Sequence, residues 1–347
     1  MDDRHSLERV RQRTFGTLRR DNVHHSKPHH LLTVHTQHAA WAAAGIAGSL
    51  AIVGTSIALV GPGAIGATVA AYLDAAGHSV LLCGHTPSDS IEVRPDDHDP
   101  IVLPGPVHTD PAEVDGPVDV VFLAVKDTQN EHAAAWLARL CDQRTVVCAM
   151  QNGVEQVDRV GRFCPSSTVV PAAVWISAER QPDGWVRVRT EPRLVLPDTE
   201  VAATLAELLR GARVTVELEL DFITAAWRKL LVNAVVAFMV LTGRRAGIFR
   251  RDDVTALGRR YLAECLAVAR ADGADLGDGV IDEIVDTLAQ APPDITTSML
   301  TDREANRPLE WDIRNAVILR KAAAHGLATP ISEVLVPLLA AASDGPG

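Results

Sequence analysis

The sequence predicts a chain in two parts: an α/β half built on a mainly parallel sheet, then an all-α half, divided near residue 220. Three observations predict this. From about Thr55, short apolar runs rich in β-branched residues alternate with helical stretches. The first of these runs enters a glycine-rich turn, "GPGAIG" (61–66), that opens a helix. After Asp221 the strand signals stop and helical periodicity continues to the C-terminus.

In chain order, "SIALV" (56–60) reads as a buried strand and 64–76 as a helix, with Gly77 where a helix ends in the left-handed conformation. "SVLLC" (79–83), "VDVVFLAV" (118–125) and "TVVCAM" (145–150) are further strands, with a helix over 129–140. Short β-rich pieces follow at 168–175, 185–190 and 192–196, then a helix (200–210) and the strand "RVTVEL" (213–218). The second half reads as helices over 221–243, 252–272, 279–290, 296–304, 308–325 and 330–342, with Pro308 suited to a first helical turn. No internal repeat is visible.

With 347 residues, 47% hydrophobic and 22% charged, the chain is long enough for two domains. A balance of 33 basic against 44 acidic residues, net −11, argues against a nucleic-acid partner. Five scattered cysteines without a CxxC pair point to reduced thiols in a cytoplasm, with no zinc site. Residues 1–52 stand apart. Residues 1–38 hold seven of the thirteen histidines and six arginines with little apolar periodicity, and are expected to belong to a disordered or spurious extension. The charge-free run from Ala39 to Val60 has the length of a membrane span. Its Ala/Gly composition, and a last third that reads as a strand, lead us to expect no membrane partner.

The glycine turn, set between a strand and a helix with a second strand beyond, is the context in which G-x-G-x-x-G binds a dinucleotide. Gly61 permits the turn, Gly63 lets backbone approach a pyrophosphate, and Gly66 allows close helix–strand packing, while the helix N-terminus offers N–H donors. At the tip of the second strand, Cys83-Gly84-His85-Thr86 has neither the carboxylate of an NAD site nor the arginine of an NADP site. NADP(H) is favoured, with NAD(H) not excluded. "LAVKDTQ" (123–129) places Lys126, and "MQNGV" (150–154) places Asn152, just beyond the carboxyl ends of strands, where ligands of open α/β sheets bind. "AAWRKLLVNA" (225–234) puts Lys229 and Asn233 one turn apart on one helix face in apolar surroundings. "SMLTDREANRPLEWD" (298–312) carries Ser298, Asp302 and Glu310.

In this order and at these separations, the set resembles the ketopantoate reductase (2-dehydropantoate 2-reductase) family from about Val53 to Pro337. The resemblance implies a Rossmann-type NADP-binding domain over 53–220. A helical substrate domain of the 6-phosphogluconate-dehydrogenase-like kind would follow over 221–347. A 2-oxo acid and NADPH would meet in the cleft between them. It further implies that Lys229 is the catalytic lysine, that Glu310 lies beside the nicotinamide ribose, and that Asn152, Asn233 and Ser298 hold the substrate. Cofactor contacts would come from Gly61, Pro62, Gly63, Ala64, Ile65, Gly66, Lys126, Asn152, Ala178 and Glu310.

The chemistry agrees. Hydride transfer to a ketone leaves negative charge on oxygen, which a partly desolvated lysine can both stabilise and protonate. The implied activity is reduction of ketopantoate to D-pantoate for pantothenate and coenzyme A synthesis, with a homodimer left open. Three positions depart from the family pattern: Ala237 and Ile295 stand where asparagines are usual, and His85 stands for an arginine. They keep two alternatives in view, a reductase of a more apolar 2-oxo or 3-hydroxy acid and a non-catalytic dinucleotide sensor.

Overall fold

A computed structural model describes residues 54–345; the expectations for residues 1–52 lie outside them. The first half contains strands β1 (Ile57–Val60), β2 (Val80–Cys83), β3 (Ser90–Pro95), β4 (Ile101–Pro104), β5 (Val107–His108), β6 (Val120–Leu123), β7 (Val146–Ala149) and β8 (Thr168–Pro171). Strands β9 (Ala173–Trp175), β10 (Ala178–Arg180), β11 (Val186–Val188), β12 (Arg193–Pro197) and β13 (Thr215–Glu219) follow. Helices α1 (Ala64–Ala75), α2 (Asn130–Leu140), α3 (Gln156–Gly161) and α4 (Glu200–Leu208) lie among them. Beyond come α5 (Phe222–Val235), α6 (Ala237–Thr242), α7 (Asp252–Ala271), α8 (Gly279–Gln290), α9 (Ser298–Glu304), α10 (Val317–His325) and α11 (Pro330–Ser343).

The main sheet has the order β5-β2-β1-β6-β7-β8, and every pair in it is parallel. Its central strands β1, β6 and β7 are buried at every residue. Helices cover both faces, so these strands read as continuous apolar runs. One face packs on α1 through Leu59, Val69 and Phe122, the other on α2 through Ala58, Val121 and Leu137. The helical half has its own core around Trp227, Phe249, Tyr261 and Met299.

Two smaller sheets, β10-β11-β3-β4 and β13-β12-β9, flank the main one. The sequence reading missed β3, β4, β5, β10 and α3. The burial of β3 alternates as in a half-exposed strand, but a proline and charged residues interrupt its apolar signal.

Three further expectations need correction. The stretch 168–175 is two strands parted at Ala172, so that the chain leaves the main sheet and joins another. The single helix expected over 221–243 is two, α5 and α6, with Val236 between them. Pro308 does not open a helix: residues 307–310 are non-helical, and helix resumes at Trp311 with a π-turn, Asp312–Ala316, leading into α10.

The two halves are tied together by ion pairs. Arg159 of α3 pairs with Asp127 at 2.6 Å and with Asp312 at 2.8 Å, while Arg320 of α10 reaches Glu155 at 2.7 Å and Asp312 at 2.6 Å. The segments that follow β6 and β7 are thereby held against the π-turn and α10.

Candidate active site

The glycine turn divides its tasks among its residues. Gly61 has φ of +93°, and a Cβ there would lie 2.6 Å from the Val125 side chain. At Gly66 a Cβ would come within 2.3 Å of the Gly61 carbonyl oxygen. A Cβ at Gly63, in contrast, would meet nothing within 4 Å. Two glycines serve packing, and the third keeps space open in front of the α1 N-terminus, which has no side-chain cap and no acidic residue in its first turn. Ala64 and Ile65 are the first helical residues behind that space. Such a cradle fits a pyrophosphate. Gly63→Ala is expected to weaken dinucleotide binding about tenfold while barely moving the thermal midpoint, since the added methyl intrudes on ligand space and not on the fold. Titration calorimetry beside thermal unfolding checks this, and unchanged affinity would remove Gly63 from the cofactor site.

Pro62 packs beside the β2 tip: a Cβ on Gly84 would lie 3.0 Å from its ring. The Pro62 carbonyl accepts from Arg180 Nη2 at 2.6 Å, which brings the end of β10, the strand that begins at Ala178, to the glycine turn. His85 is exposed and, among the described residues, its ring is bonded to Thr86. Arg180 went unnoticed in the sequence because it has no spacing relation to the turn it touches.

Beyond β7, Gln151 and Gln156 fix the loop carrying Asn152. The buried Gln151 amide donates to the Val125 carbonyl at 3.0 Å, and Gln156 donates to the carbonyls of Gln151 and Gly153. Gly153, at φ of +102°, turns the chain directly against Ile313. Asn152 then joins three segments. Its Oδ1 accepts from Lys229 Nζ at 3.1 Å and from Asn233 Nδ2 at 3.3 Å, while its Nδ2 donates to Glu310 Oε2 at 3.1 Å. Lys229 and Asn233 share one face of α5, as their spacing predicts.

Glu310 is buried and also accepts from Arg314 Nη2 at 2.7 Å. The same nitrogen donates to Ser298 Oγ at 3.0 Å. Ser298 is exposed at the first turn of α9, whose cap Thr297 accepts from the Leu300 N–H. Lys126 is drawn to the buried carboxylate of Asp302, which also holds Arg307 at 3.0 Å. Lys126, Asn152, Lys229, Asn233, Ser298 and Glu310 thus meet across the two halves. Gly61 to Gly66 and Ala178 lie at the neighbouring glycine turn and β10.

Electrostatics divides these groups by role. Burial, reinforced by the Arg314 charge, lowers the Lys229 ammonium from 10.5 to about 7, although Glu310 opposes the shift. Burial alone would raise the Glu310 carboxyl. The charges of Arg314 and Lys126 and the hydrogen bonds from Arg314 and Asn152 outweigh it and hold the group below its usual range, as a carboxylate. A lysine poised near neutrality beside a fixed anion is the pattern of a proton donor and its orienting partner. Arg314 escaped the sequence reading, although its i, i+4 spacing from Glu310 was a usable signal.

Comparison with known proteins bears on the whole arrangement. The family model described as ketopantoate reductase PanE/ApbA matches residues 57–200, and that of its C-terminal part matches residues 221–343. The chain belongs to the ketopantoate reductase family.

A 2-dehydropantoate 2-reductase of Mycobacterium tuberculosis is 68% identical over 293 residues, covering 84% of this chain and 99% of the relative. Among solved structures, a ketopantoate reductase of Ralstonia eutropha superposes with a TM-score of 0.76 at 30% identity, covering 83% of this chain and 98% of its own. A dimeric ketopantoate reductase of Staphylococcus aureus does so with 0.76 at 27%, with the same coverage of both chains. Family and fold together indicate a nicotinamide dinucleotide as cofactor, and the cradle at Gly63 fits one.

The positions that depart from the family pattern take on a definite physical meaning. Ala237 is fully buried in the helical core, as are Met239 and Val240, with Phe238 5% exposed. They do not form an open apolar surface in the cleft. Ile295 packs partly buried against the same core.

Proposed function

We propose that the protein reduces 2-dehydropantoate (ketopantoate) to D-pantoate with NADPH, supplying pantothenate and coenzyme A synthesis in the cytoplasm. The observation that carries this reading is the chain Lys229–Asn152–Glu310, in which a lysine with a depressed pKa faces the loop beside the glycine cradle. When bound, the nicotinamide supplies the hydride. Lys229 donates a hydrogen bond to the substrate's ketone oxygen and gives up its proton as negative charge develops there. Asn152 aligns the ammonium through its Oδ1, and Glu310 fixes the amide by accepting from its Nδ2. Asn233 and Ser298 hold the polar ends of the substrate. The burial of Ala237 supports a polar substrate over a more apolar one, because the replaced asparagine leaves core packing and not a hydrophobic pocket.

NADPH is the cofactor proposed because the β2 tip carries no carboxylate to hold a ribose diol, and Arg180 brings positive charge to the glycine turn. The dimeric Staphylococcus aureus structure supports a homodimer.

The test is consumption of NADPH, and separately NADH, against a panel of 2-oxo acids. Ketopantoate is expected to be turned over with a kcat/KM at least about tenfold above the other acids. Turnover of another acid with none of ketopantoate would defeat the reading.

A further inference from the structure

Arg314 has no part in binding or catalysis in the account above, yet it bonds two of the residues that have one, Ser298 and Glu310. It is 3% exposed, its Nη2 bonds both Ser298 and Glu310, and its Nε–H is buried without an acceptor. The next residue, Asn315, points inward too, donating to the Ala234 carbonyl at 3.1 Å and to the Tyr261 hydroxyl at 3.0 Å. The π-turn that carries both residues is thereby anchored to α5.

The direction of the Ser298 bond matters. A guanidinium has only donors, so Ser298 Oγ must accept from it, and the single hydroxyl proton of Ser298 is left to find another acceptor. Ser298 is exposed, so that proton is available to an acceptor from outside the chain. Two acceptors of the cluster are already taken: Asn152 Oδ1 by Lys229 and Asn233, and Glu310 Oε2 by Asn152 and Arg314. A donor backed by a buried cation has an anion as its natural partner.

We propose that Arg314 is the positioning residue for the substrate's carboxylate: it makes Ser298 an obligate donor toward that group and places a buried positive charge behind it. This rests on the proposed function, because the charged end it recognises is that of a 2-oxo acid. Arg314 also adds positive charge near Lys229, so one side chain influences both ends of the substrate, the carboxylate through Ser298 and the ketone through the lysine.

The experiment compares wild type, Arg314→Met, Arg314→Lys and Ser298→Ala with two substrates, ketopantoate and its uncharged lactone, which keeps the ketone. Thermal unfolding and NADP+ titration establish that each variant is folded and competent to bind cofactor. Wild type is expected to prefer the acid. Arg314→Met should lose about 10- to 100-fold of that preference, chiefly through KM for the acid, while its effect through Lys229 and Glu310 falls on acid and lactone alike and cancels in the ratio. Arg314→Lys should restore part of it. In Ser298→Ala/Arg314→Met the losses should not add, because the arginine acts through the serine. If Arg314→Met does not fold, the lysine and serine variants carry the same comparison.

An unchanged preference for the acid in folded variants, or strict additivity of the two substitutions, would overturn the assignment of Arg314 while leaving the reductase reading intact. Failure of wild type to reduce any 2-oxo acid would overturn both.

Discussion

Replacing Lys229 with alanine is expected to lower kcat for ketopantoate reduction by about 10³-fold or more, while the affinity for NADP+ stays within about twofold. The two effects separate because of where the ammonium sits. It donates to Asn152 at 3.1 Å at the junction of the halves, whereas the glycine cradle is built from residues 61–66 with no contribution from α5. In the proposed mechanism the ammonium serves the ketone oxygen in two ways, as a hydrogen-bond donor while charge builds up and as the proton source that ends the reaction. Steady-state kinetics beside cofactor titration tests the split. Turnover close to wild type would remove Lys229 from the mechanism. Turnover lost together with cofactor binding would show that α5 supports the fold and not the chemistry.

A second large effect is expected in the pH dependence. The donor must carry its proton, and burial together with Arg314 lowers the Lys229 ammonium to about 7. Activity is therefore present below that value and lost above it: kcat/KM should fall about tenfold per pH unit above about 7, or about 100-fold by pH 9. Binding the substrate adds a carboxylate to the cleft, and a nearby negative charge favours the ammonium. The descending limb of kcat should then lie at higher pH than that of kcat/KM. Glu310 introduces no opposing limb near neutrality, because Arg314, Lys126 and Asn152 together keep it ionised there. A kcat/KM that stays flat to about pH 10 would exclude Lys229 as proton donor. Measuring both profiles over the same buffers makes the test independent of the absolute rate.

How much of this was legible in the sequence differs from residue to residue. Lys229 and Asn233 were legible because four residues of helix bring two side chains to one face whatever surrounds the helix. Gly61, Gly63 and Gly66 were legible because each answers a local demand of a strand–turn–helix. Asn152 was placed correctly beyond β7, but its work is long-range: it bridges α5 and Glu310 across sequence separations of 77 and 158. No local pattern encodes that. Ala237 shows the opposite failure. It stands where the family pattern has an asparagine, which kept a more apolar substrate in view, but the helix is interrupted at Val236 and the side chain is buried in the core. Pro308 was read as a helix start by a sound local rule, and the chain instead stays non-helical until Trp311.

The sequence by itself determined the α/β-then-α order, the glycine turn that opens α1, and the shared helix face of Lys229 and Asn233. All three rest on period, spacing and residue type, which local covalent geometry converts directly into structure. Only the tertiary structure decided how the groups of the site are charged and oriented. A depressed Lys229, an ionised Glu310 and a Ser298 obliged to donate all depend on burial and on Arg314, and these arise when α5, the π-turn and the loop after β7 close on one another. Charge state inside a protein follows from which groups are desolvated together, and that is a property of the packed chain and not of any stretch of it.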